Sequence, residues 1–213
     1  MYNIENHKIG FFRNNPVLGA ALGLTTALAV TSSLSSGLFM GLLTLVLVVI
    51  AAALGGLVKK FTPAQILIPV NVILVAFLAK MGQLLVEAYA PMLSNQVGLF
   101  LPLLAVNSLI LFATGAMTEK AESFGSVMVN GLTSGVAYLL ALTVVSFIRE
   151  LLGTGGVSLV EPFNGTELFS FSLIPKEYTL SLFTNPSGAL LVVALVAALF
   201  AAITQKNVEQ GGV

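Results

Sequence analysis

Two polar pairs sit where an apolar chain has little room for them. Thr25 and Thr26 lie in the run Leu22–Thr31 (LGLTTALAVT), and Asn107 and Ser108 close the run Gly98–Ser108 (GLFLPLLAVNS), which also carries Pro102. A proline removes one backbone hydrogen bond, and an asparagine amide left unpaired in hydrocarbon is costly. Segments of this kind are tolerated at membrane depth only against protein or beside a cavity. Their hydroxyls, amide and freed carbonyls suit the binding of Na+ or a polar substrate, not covalent chemistry. A third set, Lys80, Gln83 and Glu87, falls at i, i+3 and i+7, on one face of a helix. An ionisable residue inside a span points by default to a functional site, yet Lys80 lies near a span end, where its stem can reach water or pair with Glu87. Anchoring is the favoured role for Lys80, with ion conduction as the alternative. Thr25, Thr26, Asn107, Ser108, Lys80 and Gln83 are therefore the candidate ion-path or helix-break residues.

The elements that position them belong in a bilayer. Of 213 residues, 57% are hydrophobic and only 8% charged, whereas a soluble domain carries about 25% charged residues. The formal net charge is +0, without the basic surplus of a nucleic-acid binder. Cysteine and aspartate are absent and there is one histidine, so thiolate ligation, cysteine nucleophiles and zinc hydrolysis have almost no raw material. No phosphate loop, nucleophile elbow or carboxylate pair is present, so no residue is assigned as catalytic or as a metal ligand. The opening residues lack the short apolar core and small-residue cleavage site of a signal peptide.

Six runs approach the length needed to cross a ~30 Å core at about 1.5 Å per residue. They lie near Pro16–Ser32, Gly37–Val58, Ile66–Leu85, Val97–Met117, Val127–Ile148 and Ser187–Thr204. The fold expected is an all-α integral membrane domain over residues 16–204, after an N-terminal segment 1–15 and before a tail 205–213. Short linkers make neighbouring helices antiparallel. The exception is the outer loop, about 153–185, with its glycines, prolines and glutamates. Lys8, Arg13, Lys59, Lys60, Lys120 and Lys206 fall on one side, against Arg149 and Lys176 on the other. The positive-inside rule then puts both termini in the cytoplasm. An interrupted span opens each half, about 16–90 and 95–204. Three spans per half make the halves inverted repeats, as in many transporters.

Gly19–Gly23, Gly37–Gly41 and Gly131–Gly135 repeat the small-xxx-small spacing that brings helix backbones close. Arg149 and Glu150 read most simply as interfacial charges. Phe11, Phe12, Phe100, Phe112 and Phe147 read as lipid- or interface-facing residues.

Beyond single residues, an ordered series of motifs stands out. Asn15-Pro16 and LGLTTALAVTSS are followed by FTPAQILIPVNVILVA (Phe61–Ala76), QLLVEAY (Gln83–Tyr89), GLFLPLLAVN (Gly98–Asn107), KAESF (Lys120–Phe124) and IRELLGTG (Ile148–Gly155). From Asn15 to about Thr204 the chain resembles the small six-span subunits of the Rnf and Nqr redox-driven ion pumps, most nearly the E subunit of Rnf and next the D subunit of Nqr. The resemblance implies a place in the prokaryotic cytoplasmic membrane, in the core of a complex that passes electrons from ferredoxin to NAD or from NADH to quinone while moving Na+ or H+. It implies other Rnf- or Nqr-type subunits as partners, among them an inverted membrane paralogue, with flavins and iron–sulfur clusters on those subunits.

The same resemblance implies an iron–sulfur cluster held jointly with the paralogue, and there the chain departs. Where the family reads roughly Gly-x-Cys this chain has Gly23-Leu24-Thr25, and where it reads Asn-Cys this chain has Asn107-Ser108. Where it tends to carry Asp-Gly this chain has Asn130-Gly131. No cofactor is therefore expected on this chain. Two readings stay open: a core subunit of an Rnf-like pump that does not ligate the usual cluster, or a stand-alone inverted-repeat secondary transporter without redox function.

Overall fold

A computed structural model describes residues 23–115, 124–161, 166–172, 175, 179 and 181–210. Several residues singled out above lie outside these: Lys8, Phe11, Phe12, Arg13, Asn15, Pro16, Gly19, Met117, Lys120, Glu122, Lys176 and the glutamate at 177.

The chain enters at Gly23, whose φ of 75° suits a residue without a side chain, and runs into α1 (Leu24–Val30). Helix α2 (Leu34–Phe61) follows. Its start is fixed by the Ser33 hydroxyl, which accepts from the Ser36 amide. Lys59 and Lys60 in its last turn favour the carbonyl end, and Thr62-Pro63 stops it. A 3-10 turn (Ala64–Ile66) leads into α3 (Leu67–Tyr89). Then come the short α4 (Pro91–Val97), a 3-10 stretch (Leu101–Val106) and α5 (Ser108–Ala113). Helix α6 spans Phe124–Thr154. Strands β1 (Gly156–Val160) and β2 (Glu167–Ser172) pair antiparallel, and a 3-10 turn (Ser181–Thr184) precedes α7 (Pro186–Gln210).

Among the described residues, three helical stretches are long and apolar enough to cross a membrane: α2, Ala64–Tyr89 and α6. Within α7, Pro186–Leu199 forms a shorter apolar helix. The molecule is mostly helical and membrane-embedded. Ile73, Phe77, Leu84 and Leu85 of α3 and Leu190, Leu195 and Leu199 of α7 are exposed. Contiguous faces of that kind are unsuited to water and natural against lipid.

The mostly helical architecture is consistent with the all-α membrane fold expected, and the loop 153–185 adds the short β1–β2 hairpin. Val157 and Leu159 flank Ser158, while Phe169 and Phe171 alternate with Ser170 and Ser172, a period of two that suits a strand. Within the run Val97–Met117 the described residues are interrupted, as Pro102 and Asn107-Ser108 led one to expect. Over 100–107 the backbone bonds run from residue i+3 to i, as in Phe100 N–H to Val97 O and Asn107 N–H to Leu104 O, at 2.8 and 3.2 Å. Pro102 has no N–H to give the tighter or wider ladder, and the segment settles as a 3-10 stretch packed on α3.

The tightest pairing joins α2 to α6, antiparallel. A Cβ added to Gly41 would lie 3.2 Å from Leu139 Cα, one on Gly135 3.3 Å from Leu45 Cα, and one on Gly131 2.7 Å from Ala52 Cβ. At Gly37 an added Cβ would overlap the Ser146 hydroxyl. Two of the three glycine pairs expected to bring helices together, Gly37–Gly41 and Gly131–Gly135, thus serve one interface, from opposite sides. Met40, Leu47, Val48, Ala51, Val75, Leu101, Leu104, Leu109, Tyr138 and Leu142 form one continuous core around it. Val145, Val192 and Val196 seat α7 against α6.

Candidate functional site

The two interrupted segments meet. Ser108, at the start of α5, accepts the Gly23 N–H through its hydroxyl oxygen at 3.1 Å, across 85 residues of sequence. Beside it, Asn107 Nδ2 donates to Thr26 Oγ1 at 3.2 Å. Each polar group is placed by a local rule. Asn107 adopts an extended backbone and caps α5, its Oδ1 accepting the Leu109 N–H at 2.9 Å. Thr26 bends back to give its hydroxyl to the Gly23 carbonyl at 3.0 Å.

The third party to this junction is Tyr138 of α6, fully buried. Its phenol forms a very short contact with the Thr26 hydroxyl and donates to the Gly23 carbonyl at 3.4 Å. Thr26, Asn107 and Tyr138 are each at most 1% exposed. The polar groups of the breaks are therefore satisfied by each other rather than by water, as a low-dielectric site requires. Gly23 is needed here twice. Its φ suits glycine, and an added Cβ would come within 2.8 Å of the Tyr138 ring.

A second buried centre holds the other end of α6. Arg149, 2% exposed, reaches across the molecule. Its Nε donates to Phe183 O at 3.1 Å; Nη1 donates to Thr31 Oγ1 at 2.6 Å and Leu28 O at 3.4 Å; Nη2 donates to Thr184 O and Asn185 O at 3.3 and 3.2 Å. One guanidinium thus closes the end of α1 and the turn ahead of α7. Glu150, 4% exposed, works in the opposite sense. Its Oε2 accepts the Leu34 N–H at 2.7 Å, and its Oε1 accepts the Ser158 N–H and hydroxyl at 2.9 and 2.8 Å. A carboxylate at the first turn of α2 complements the positive end of that helix. Arg149 and Glu150 do more than mark the end of a span: adjacent in sequence, they lie inside the fold and fasten different loops. Their partners lie 8 to 121 residues away, so composition gave no sign of them.

The remaining candidates stand apart from the junction. Thr25, one residue from Thr26, is exposed. On the outer face of α3, Lys80 Nζ donates to Gln83 Oε1 at 3.2 Å and Gln83 Nε2 to Glu87 Oε1 at 2.7 Å. The expected face is real, but Gln83 mediates between the two charges, and the row looks outward. Tyr138 was missed. The available signal was a phenol in the middle of an apolar span, which needs a partner when buried.

Chemically, the junction is a closed set of hydroxyl, amide and carbonyl groups. No cluster of three or more His, Cys, Asp or Glu occurs among the described residues. An iron–sulfur cluster does not fit the residues at these positions. Ser and Thr hydroxyls are protonated hard donors, whereas such clusters take thiolates. Ser108 Oγ, moreover, is already engaged by the Gly23 N–H.

Comparison with known proteins agrees with the motif series. A sequence model of the family described as "Rnf-Nqr subunit, membrane protein" matches residues 4–203. The chain is 34% identical over 206 residues to the E subunit of the ion-translocating oxidoreductase complex of Shewanella oneidensis, covering 94% of this chain and 88% of that protein. The protein of the same description in Methanosarcina acetivorans is 31% identical over 203 residues, covering 95% and 92%. The chain, with its interrupted apolar segments joined at Gly23 and Ser108, belongs to the Rnf-Nqr family of membrane subunits.

Proposed function

We propose that this chain is the E-type core subunit of an Rnf-like complex, coupling electron transfer from ferredoxin to NAD, or from NADH to quinone, to translocation of Na+ or H+. Six spans form two inverted three-helix repeats, residues 16–90 and 95–204, in a prokaryotic cytoplasmic membrane with both termini inside and the loop 153–185 outside. The observation that carries this reading is the junction itself. Two broken segments, one per repeat, cross at Gly23–Thr26 and Asn107–Ser108, the arrangement expected where transport sites are built.

Thr26, Asn107 and Ser108, with Tyr138, form the ion-path element of this subunit. Thr25 faces the inverted paralogue, and Lys80 and Gln83 anchor α3 near the outer surface. Flavins and iron–sulfur clusters reside on the partner subunits, and this chain supplies none of the thiolates of a shared cluster.

Purification from native membrane in mild detergent, with mass spectrometry of the associated chains and iron and flavin analysis, tests this reading. Co-purifying flavoprotein and ferredoxin-like subunits support it. A lone chain without iron or flavin overturns it in favour of the stand-alone transporter.

A further inference from the structure

The hairpin outside the spans carries the most exposed aromatic pair among the described strands. Phe169 and Phe171 of β2 are 58% and 53% exposed, and their rings stack with centroids 6.4 Å apart. The hairpin does not project away from the helices. Ser158 is bonded to Glu150 through its N–H and hydroxyl, Ser35 Oγ donates to Ser158 O at 3.1 Å, and Val160 N–H donates back to Ser35 Oγ at 2.8 Å. These bonds hold β1 level with the first turn of α2 and the last turn of α6, two helices long and apolar enough to cross the membrane. That level is where hydrocarbon gives way to headgroups.

Just beyond the paired strands, Glu161 N–H donates to Thr166 O at 2.8 Å and Thr166 Oγ1 to Glu161 Oε2 at 2.7 Å. Toward the base lie the paired apolar positions Val157↔Phe171 and Leu159↔Phe169, with Val157 buried in the fold. On α6 an exposed row, Leu140, Val144 and Phe147, climbs one face toward the same end.

We infer that the Phe169–Phe171 pair is a membrane-surface anchor, its rings seated at the headgroup–acyl boundary of the outer leaflet while the Glu161 and Thr166 side chains stay in water. The occupant of this apolar patch is lipid. Two features select it: buried polar bonds fix the hairpin level with the ends of two spanning helices, and the rings are exposed at that level as an apolar pair. Depth, a polar end and an apolar face together are what interfacial elements require.

The test uses the whole complex in its own membrane. p-Benzoylphenylalanine is placed at Phe171 and irradiated, and the hairpin peptide is analysed by mass spectrometry. A phospholipid adduct is expected. A crosslink to another protein chain overturns the proposal, and so does the absence of any adduct when the same group placed at Phe147 is labelled. The chain contains no tryptophan, so Phe171→Trp in the full chain, reconstituted in phospholipid vesicles, gives a second, independent readout. Emission shifted to the blue and quenched by lipids brominated near the headgroup supports the anchor. Quenching by aqueous iodide with no effect of bromolipid refutes it.

Discussion

Replacing Arg149 by methionine removes five hydrogen bonds while keeping most of the side-chain volume. Four go to main-chain oxygens, of Leu28, Phe183, Thr184 and Asn185, and one to Thr31. None of these acceptors gains a substitute donor from a thioether. A buried acceptor left without its donor costs about 1–3 kcal/mol, so five of them, offset by losing the desolvated guanidinium and by carbonyls that recover water, give an expected net loss of about 3–5 kcal/mol. At about 2–4 °C per kcal/mol for a chain of this size, the expected fall in Tm is about 6–20 °C. Arg149→Lys retains the charge but offers its donors from a single nitrogen, so its Tm falls between methionine and wild type. The assay is size-exclusion chromatography of the detergent-solubilised chain after heating through a temperature series. A methionine variant that melts within about 2 °C of wild type would show that the guanidinium does not hold α1 and the 181–185 turn, since a loss of about 3 kcal/mol far exceeds that margin.

Tyr138→Phe deletes the phenol shared by Thr26 and Gly23 while leaving the Thr26–Gly23 and Asn107–Thr26 bonds in place. It should cost about 1 kcal/mol by the same melting assay. Gly23→Ala meets the left-handed backbone and the Tyr138 ring together, so a loss of about 2–5 kcal/mol is expected by summing strain and overpacking. Measured against Tyr138→Leu alone, the loss that Gly23→Ala still causes in a Tyr138→Leu chain is the backbone strain. Gly37→Ala drives a methyl into Ser146 and should cost about 1–3 kcal/mol, partly recovered by Ser146→Gly. Ser146 itself is buried and its hydroxyl has no hydrogen-bond partner among the described residues, so Ser146→Ala should raise stability, by about 1 kcal/mol; a lower Tm would contradict that.

Sequence alone determined what depends on local composition. Long apolar runs with few charges place α2, α3 and α6 in a membrane, because no soluble fold can cover so much hydrocarbon. Gly37–Gly41 and Gly131–Gly135 announced close helix packing, since nothing but a missing side chain permits it. Pro102 with Asn107-Ser108 marked a broken segment, because neither residue type belongs in an uninterrupted helix there. The motif series gave the family. Tertiary structure decided what depends on distant partners. Gly23 and Ser108 are 85 residues apart, and no periodicity says that the hydroxyl of one meets the amide of the other. Thr25 and Thr26 are indistinguishable in sequence, yet α1 buries one against Tyr138 and exposes its neighbour, because adjacent helical residues point about 100° apart. Arg149 and Glu150 read in sequence as interfacial charges, and only the folded loops show which carbonyls and amides they bond.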